Sequence, residues 1–255
     1  FPIAVAVDRV VPHCDDREAR AYGVCEMART QDYNVLLLTS VPGVIDDITA
    51  MVRVHFANVE SLYWQMGNKE TKPRVLGRIE ASSYNLIISH ISGIILRPHH
   101  LAQASFGAIN IHPAPPEHPG AWGIYCQPVI RRGVRRHHGV TLHEIDAAID
   151  SGPIYAVERW AVGEGDSIKS VMQKSLVRCQ AMLAFAVQKL AASTNGSQCF
   201  ARLDESWDAA NGHHGASDVQ AWFRDLEPGH PAHKERIALN HPNAIMAPPY
   251  FSDQG

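Results

Sequence analysis

Three side chains with complementary chemistry stand near the middle of the chain. Asn110 and His112 lie one residue apart in "AINIH", and Asp150 follows in "IDSGPI". An amide can donate to an oxygen that gains negative charge, and an imidazole can do the same or carry a proton. A carboxylate can hold that imidazole in place and favour its protonated form. Together the set suits acyl transfer through a tetrahedral intermediate without a covalent nucleophile. Spacing alone leaves a second reading open: Asn110 and His112 as strand-end groups that satisfy backbone, and Asp150 as a turn former beside Gly152 and Pro153.

The elements that must position these residues alternate between strand and helix. Apolar runs of strand length occur at "PIAVAVD", "YNVLLLTS" (33–40), "YNLIISHIS" (84–92) and "AINIH" (108–112). Helical stretches are expected at "DDREARAYGVCEMART", "DDITAMVRVH" and 166–193. In the last of these Ile168, Val171, Met172, Leu176, Cys179, Met182, Leu183 and Ala186 recur at intervals of three and four. Asp166 or Ser167 can cap it. "GVTLHEI" (139–145) alternates enough to read as a half-exposed strand, and the segment before residue 83 has no clear assignment. The pattern predicts an α/β, Rossmann-like fold, with a mostly parallel sheet and helices on both faces. Ligands then belong at the carboxyl ends of the strands. Asn110 and His112 sit at such an end, and the period of two puts both on one face.

Directly after them, four prolines fall within the seven residues Pro113–Pro119. Proline lacks the N–H and cannot continue a ladder, so a stiff rim with free carbonyls is expected there. After about residue 196 the pattern becomes rich in Trp, His and Pro. A catalytic domain over 1–195 and a short irregular C-terminal extension over 196–255 are expected, with "HPNAIMAPPYF" (241–251) docked on the main domain.

The 255 residues carry a net charge of −3 with 45% hydrophobic residues, an ordinary globular composition without the basic field that nucleic acid would require. The basic run 131–136 reads as a solvated face. No apolar run reaches the ~18 residues of a membrane span, so no membrane partner is expected. The five cysteines are scattered, which suits reduced thiols in a cytoplasmic protein. Of the 15 histidines, three adjacent pairs stand out (99–100, 137–138 and 213–214). Neighbouring side chains diverge, so no metal site is expected.

The stretch "SHISGIILRPHHLAQASFGAINIHPAPPEHPGAWG…HHGVTLHEIDAAIDSGPI", together with the helix after it, resembles the formyltransferases that use 10-formyltetrahydrofolate. Glycinamide ribonucleotide transformylase, methionyl-tRNA formyltransferase and sugar N-formyltransferases belong to this family. The likeness is good over 84–192 and weaker through 1–80. It implies that Asn110, His112 and Asp150 are catalytic and that 10-formyltetrahydrofolate is the co-substrate. It also implies that Ile94, Ile95 and Leu96 bind the pterin, with His143, Glu144, Ile145 and Asp146 on the opposite wall. The loop "APPEHPG" departs from the family's usual "Ser-Leu-Leu-Pro" form, which leaves acceptor contacts there unassigned.

The expected acceptor is a small-molecule amine, either an amino sugar or an amine of a specialised pathway. A phosphoribosyl acceptor is disfavoured because "DRVVPHCDD" (8–16), placed after the first strand, holds no glycine and is acidic. A tRNA acceptor would call for a basic extension. Two other classes stay open: a formyltetrahydrofolate hydrolase and a non-catalytic folate-binding protein. The sequence does not fix the oligomeric state, and a homodimer is compatible with it.

Overall fold

The computed structural model describes residues 33–131, 136–208, 211 and 214–234. The expected strand "PIAVAVD", the helix that follows it and the segment 241–251 lie outside these residues. Six strands form one sheet in the order β2-β1-β3-β4-β5-β6. They are β1 (Asn34–Thr39), β2 (Asn58–Tyr63), β3 (Leu86–His90), β4 (Ala108–His112), β5 (His137–Glu144) and β6 (Ile154–Ala161). β2, β1, β3 and β4 run parallel, and β5 and β6 complete the sheet antiparallel. The expected Rossmann-like α/β sheet is therefore present.

Helices cover both faces, and the period of two in β1 shows how. Val35 and Leu37 pack with Ile48 and Val52 of α1 (Ile45–Arg53) and with the long helix α5 (Ile168–Ala191). Leu36 and Leu38 pack on the opposite face with Ile79 of α2 (Lys72–Ala81) and with Ile94 and Leu96. A short α3 (Pro98–Gln103) precedes β4. With both faces dry, the run "VLLLT" is buried throughout, as a central parallel strand requires.

Ser167 caps α5: its hydroxyl accepts the Ser170 N–H, and Ser170 returns the bond. Asp166 instead accepts from Lys174 and from the Gly163 N–H. β5 differs from expectation. It is buried along nearly its whole length, because α5 packs against one face and the proline loop covers the other. Thr141 Oγ1 donates to Ala114 O at 2.8 Å and His138 Nε2 to Pro113 O at 3.1 Å. α2 falls on the stretch that lacked an assignment, with Pro73 in its first turn, where a missing N–H costs nothing. A short α4 (Gln127–Ile130) follows the proline loop.

The described residues between 196 and 234 pack onto this body. Val219 and Phe223 of α6 (Ala216–Arg224) join Ile124, Ile130, Val171 and Met172 in a buried cluster. Among the described residues no helix is long and apolar enough to cross a membrane. Cys126 and Cys179 are buried, and Cys199 is half-buried.

Candidate active site

A cavity of about 380 Å³ opens at the carboxyl ends of β3 and β4. Its floor is made by Asn110 and His112 from β4 and His143 from β5, with Asp150 beside them. Asn110 and His143 are opposite partners in the antiparallel ladder, so strand register alone sets them side by side. Asp150 reaches them from the loop after β5. It holds φ +45°, a conformation that Asp and Asn tolerate better than other residues with a Cβ. Two residues on, the loop returns so close to β5 that a Cβ on Gly152 would lie 2.1 Å from the Glu144 carbonyl oxygen. Only glycine fits there, which is the physical reason for the Asp-x-Gly pattern.

Asp150 Oδ2 accepts the Gly120 N–H at 2.7 Å and lies 3.5 Å from His112 Nδ1. Its Oδ1 lies 3.4 Å from His143 Nε2. Burial by itself would raise the Asp150 carboxyl. The neighbouring His112 and His143 and the Gly120 N–H outweigh it and hold the group well below the usual carboxylate range. Asp150 is thus an anion throughout the neutral range. His112 Nε2 donates to the His118 carbonyl at 2.9 Å, which leaves Nδ1 facing the carboxylate.

His143 Nδ1 donates to the Glu144 carbonyl at 2.7 Å, and its Nε2 lies 3.0 Å from Asn110 Nδ2. In this arrangement the Asn110 amide nitrogen faces His143 Nε2, and the buried Asn110 Oδ1 has no partner among the described residues. A half-turn of the amide, accompanied by a proton on His143 Nε2, would satisfy that oxygen. It would also turn the Asn110 N–H groups into the cavity, where a carbonyl oxygen could accept them.

The other expected binding residues divide. Ile94 and Leu96 are buried in the core beneath the cavity, and Ile95 stands 57% exposed at its rim. All three line it, as do Ile145 and Asp146. Asp146 is occupied as a turn former, its Oδ1 accepting from Ala148 N and Ser151 Oγ. Glu144 is not part of the wall. The alternation of β5 turns it to the opposite face, where its carboxylate accepts the Tyr155 hydroxyl at 2.6 Å. The loop after β3 starts at Ile91, a β-branched residue at φ +51°. Backbone bonds from Ser40 N to Ile91 O and from Ile91 N to Ile111 O hold it in that strained shape.

The proline loop departs from expectation. Its carbonyls are not free: every one from Pro113 to His118 accepts a hydrogen bond. The donors run in order from His138, Thr141, the His118 N–H, the Asp208 N–H, the Asn211 amide and His112. Of the basic run, Arg131 is half-buried, donates to Asn211 Oδ1 and stacks over Trp222, whereas Arg136 is exposed.

Away from the cavity, the adjacent His99 and His100 do not diverge. Both Nε2 atoms lie 2.8 Å from Glu80 Oε1. His100 Nδ1 accepts the Arg97 N–H, so its Nε2 carries the proton and presents no lone pair to a cation. That cluster is a helix-end staple.

Sequence reasoning missed Trp207. Its ring meets His112 edge-on at 5.6 Å and His143 at 4.8 Å, and its indole N–H donates to Gly152 O at 2.9 Å. No local pattern in "LDESWD" marks it, because its partners lie 55 residues or more away in sequence.

A family model described as formyl transferase matches residues 33–186, more than half of the chain. The chain belongs to the formyl transferase family. Solved structures agree in fold with this formyltransferase. A sugar N-formyltransferase from a Shewanella species is 18% identical with a TM-score of 0.57, over 83% of this chain and 86% of that one. The formyltransferase PseJ from Anoxybacillus kamchatkensis, solved with UDP-4,6-dideoxy-4-formamido-L-AltNAc and tetrahydrofolate, is 18% identical with a TM-score of 0.53, over 81% and 98%. An N-formyltransferase from Helicobacter canadensis, solved with folinic acid and dTDP-3-aminofucose, is 14% identical with a TM-score of 0.56, over 73% and 72%. No curated protein sequence matches the chain.

The family match begins at Tyr33, after the turn from which a phosphoribosyl acceptor is disfavoured. The expectation placed it at residues 8–16, outside the described residues. The first described strand of the matched region is β1, and its turn is Ser40–Val44, with Gly43 at φ +76°. This turn does hold a glycine. The helix it feeds carries Asp46 and Asp47 in its first turn, so it remains a poor seat for a phosphate.

Proposed function

We propose that this formyltransferase moves the formyl group of 10-formyltetrahydrofolate to the amino group of a small-molecule acceptor, an amino sugar carried on a nucleotide in the first instance. The observation that carries the reading is the convergence of Asn110, His112 and Asp150 on the floor of one largely apolar cavity. The sugar-nucleotide ligands of structurally similar proteins support the choice of acceptor, as does the acidic first turn of α1.

The neutral amine attacks the formyl carbon, and the carbonyl oxygen becomes an oxyanion. Asn110, in the orientation that turns its N–H groups inward, donates to that oxygen, and protonated His112 stabilises the same charge. Asp150 keeps His112 oriented and compensates its positive charge. Collapse of the intermediate breaks the bond from carbon to N10 of the folate. Protonated His112 gives its proton to N10 as that bond breaks and recovers one from the amine, and the products are a formamide and tetrahydrofolate. Ile94–Leu96 and Ile145–Ile149 supply the two walls for a flat heteroaromatic donor. The backbone of the first wall offers it hydrogen bonds.

The test is incubation of the full chain with 10-formyltetrahydrofolate and a panel of amines, following tetrahydrofolate and formate. The panel holds dTDP- and UDP-linked amino sugars and glycinamide ribonucleotide, with an amine-free control. Amine-dependent tetrahydrofolate release with a sugar nucleotide is expected. Stoichiometric formate in every tube, or no turnover of the folate at all, would refute the proposal.

A further inference from the structure

We propose that Trp207 and Asn211, in the C-terminal segment, are positioning residues for the His112–Asp150 pair. This inference rests on the reading of that pair as the reacting groups.

The argument begins with the proline loop. Residues 113, 115, 116 and 119 have no N–H, so the loop makes almost no bonds to itself, the His118 N–H to Pro115 O being the exception. Its place is set by donors from elsewhere. The near half is tied to β5 by His138 and Thr141. The far half is tied to the C-terminal segment. Asp208 N donates to Pro116 O, and the Asn211 amide nitrogen lies against Glu117 O and 3.0 Å from His118 Nδ1. Arg159 adds a third tie, since it pairs with both Glu117 and Glu205.

That far half carries the two backbone groups on which the pair depends. The His118 carbonyl receives His112 Nε2, and the Gly120 N–H donates to Asp150. Trp207 grips from the other side. It packs edge-on against both histidines and anchors Gly152, two residues beyond Asp150. Neither Trp207 nor Asn211 lines the cavity, so neither is placed to bind donor or acceptor.

Asn211→Asp tests this directly, because it keeps the size of the side chain and the acceptor for Arg131 but removes both donors. Trp207→Phe keeps one aromatic ring and removes the indole N–H together with the rest of the bicycle. Each is compared with Asp225→Asn, an exposed control in the same segment, and with His112→Ala, using 10-formyltetrahydrofolate and the sugar-nucleotide panel. In parallel, ¹⁵N spectra of the imidazoles of the full chain need no acceptor.

For Asn211→Asp we expect kcat to fall on the order of tenfold to a hundredfold, the range for slight misplacement of reacting groups. KM for the folate should stay within twofold, and the His112 ring resonances should move. Trp207→Phe should show a smaller loss of the same kind, and the control should match the parent. Asn211→Asp with parental kcat and unmoved His112 resonances, while His112→Ala is inactive, would overturn the positioning role alone. A fully active His112→Ala would overturn the underlying reading and this inference with it.

Discussion

Asp150→Asn separates the charge of this residue from its shape. Asparagine has the same size, can still accept the Gly120 N–H and tolerates the φ of +45°. What disappears is a negative charge 3.5 Å from His112 and 3.4 Å from His143. At an effective dielectric constant of about 20, a full ion pair at such a distance is worth about 5 kcal/mol before desolvation is subtracted. Each 1.36 kcal/mol is a factor of about ten in rate, so that value bounds the loss at roughly three orders of magnitude. Removal of a proton carrier costs about 10²–10⁴. A fall in kcat of about 10²–10³ is therefore expected, with KM for the folate nearly unchanged. The assay is tetrahydrofolate release across pH 5–9, where the limb that reports the coupled pair should move to lower pH. Stability provides a second measure with a definite sign. The folded-state carboxyl is depressed, so its contribution is present above the unfolded value of about 3.9 and is lost as pH falls through the folded one. Urea melts should show the parent as the more stable near pH 6, with the gap closing well below pH 4. A variant whose pH–rate profile and kcat overlay the parent would refute the reasoning and leave Asp150 as a turn former.

Asn110→Ala should lower kcat by about 10²–10³, the range for loss of one oxyanion donor, with donor binding little changed; a loss below threefold would exclude that role. Glycinamide ribonucleotide should be a poor acceptor in competition with sugar nucleotides, and efficient turnover of it would reverse the ranking of acceptors. Glu144→Gln should leave the folate KM within twofold, because Glu144 faces away from the cavity; a tenfold rise would place it in the binding wall after all. Burial lowers His90 to about 4 and His138 to about 3. From pH ~6.5 downward the unfolded chain then takes up protons that the native one does not. Each of these histidines should remove about 1.4 kcal/mol of stability per pH unit between roughly 6.5 and 4. A variant with His90→Leu should lose that share of the slope in urea melts at pH 5 and 6, and an unchanged slope would contradict it.

What could be read from the sequence follows the range of the forces involved. The central strands were legible because a strand that is dry on both faces must be continuously apolar, as Leu36–Leu38 and Ile87–Ile88 are. The helix 168–191 was legible from its period and from the Ser167 cap. Asn110 and His112 could be paired because two residues on one strand share a face. The parts that escaped depend on distant partners. β5 looked half-exposed because Thr141 and His143 are polar, yet their partners lie on the proline loop and on β4. The proline carbonyls looked free because their donors come from residues as far away as Asn211. Glu144 fell on the wrong wall because a loop-like run of "HEID" hides a strand alternation that still governs its first two residues.

The carbonyls of the proline loop also fix an order of events during synthesis. A ribosome delivers Asn110 and His112 about a hundred residues before Asn211, an interval of roughly 5–20 s at typical elongation rates. Until then Pro116 and Glu117 lack the donors that hold them in the finished fold. A nascent chain with its sheet already paired would thus carry all of Asn110, His112 and Asp150 and still lack their final arrangement. A prematurely terminated product would be in the same condition. On the proposed role of Asn211, the donor folate would meet an assembled pair only on chains translated past that residue.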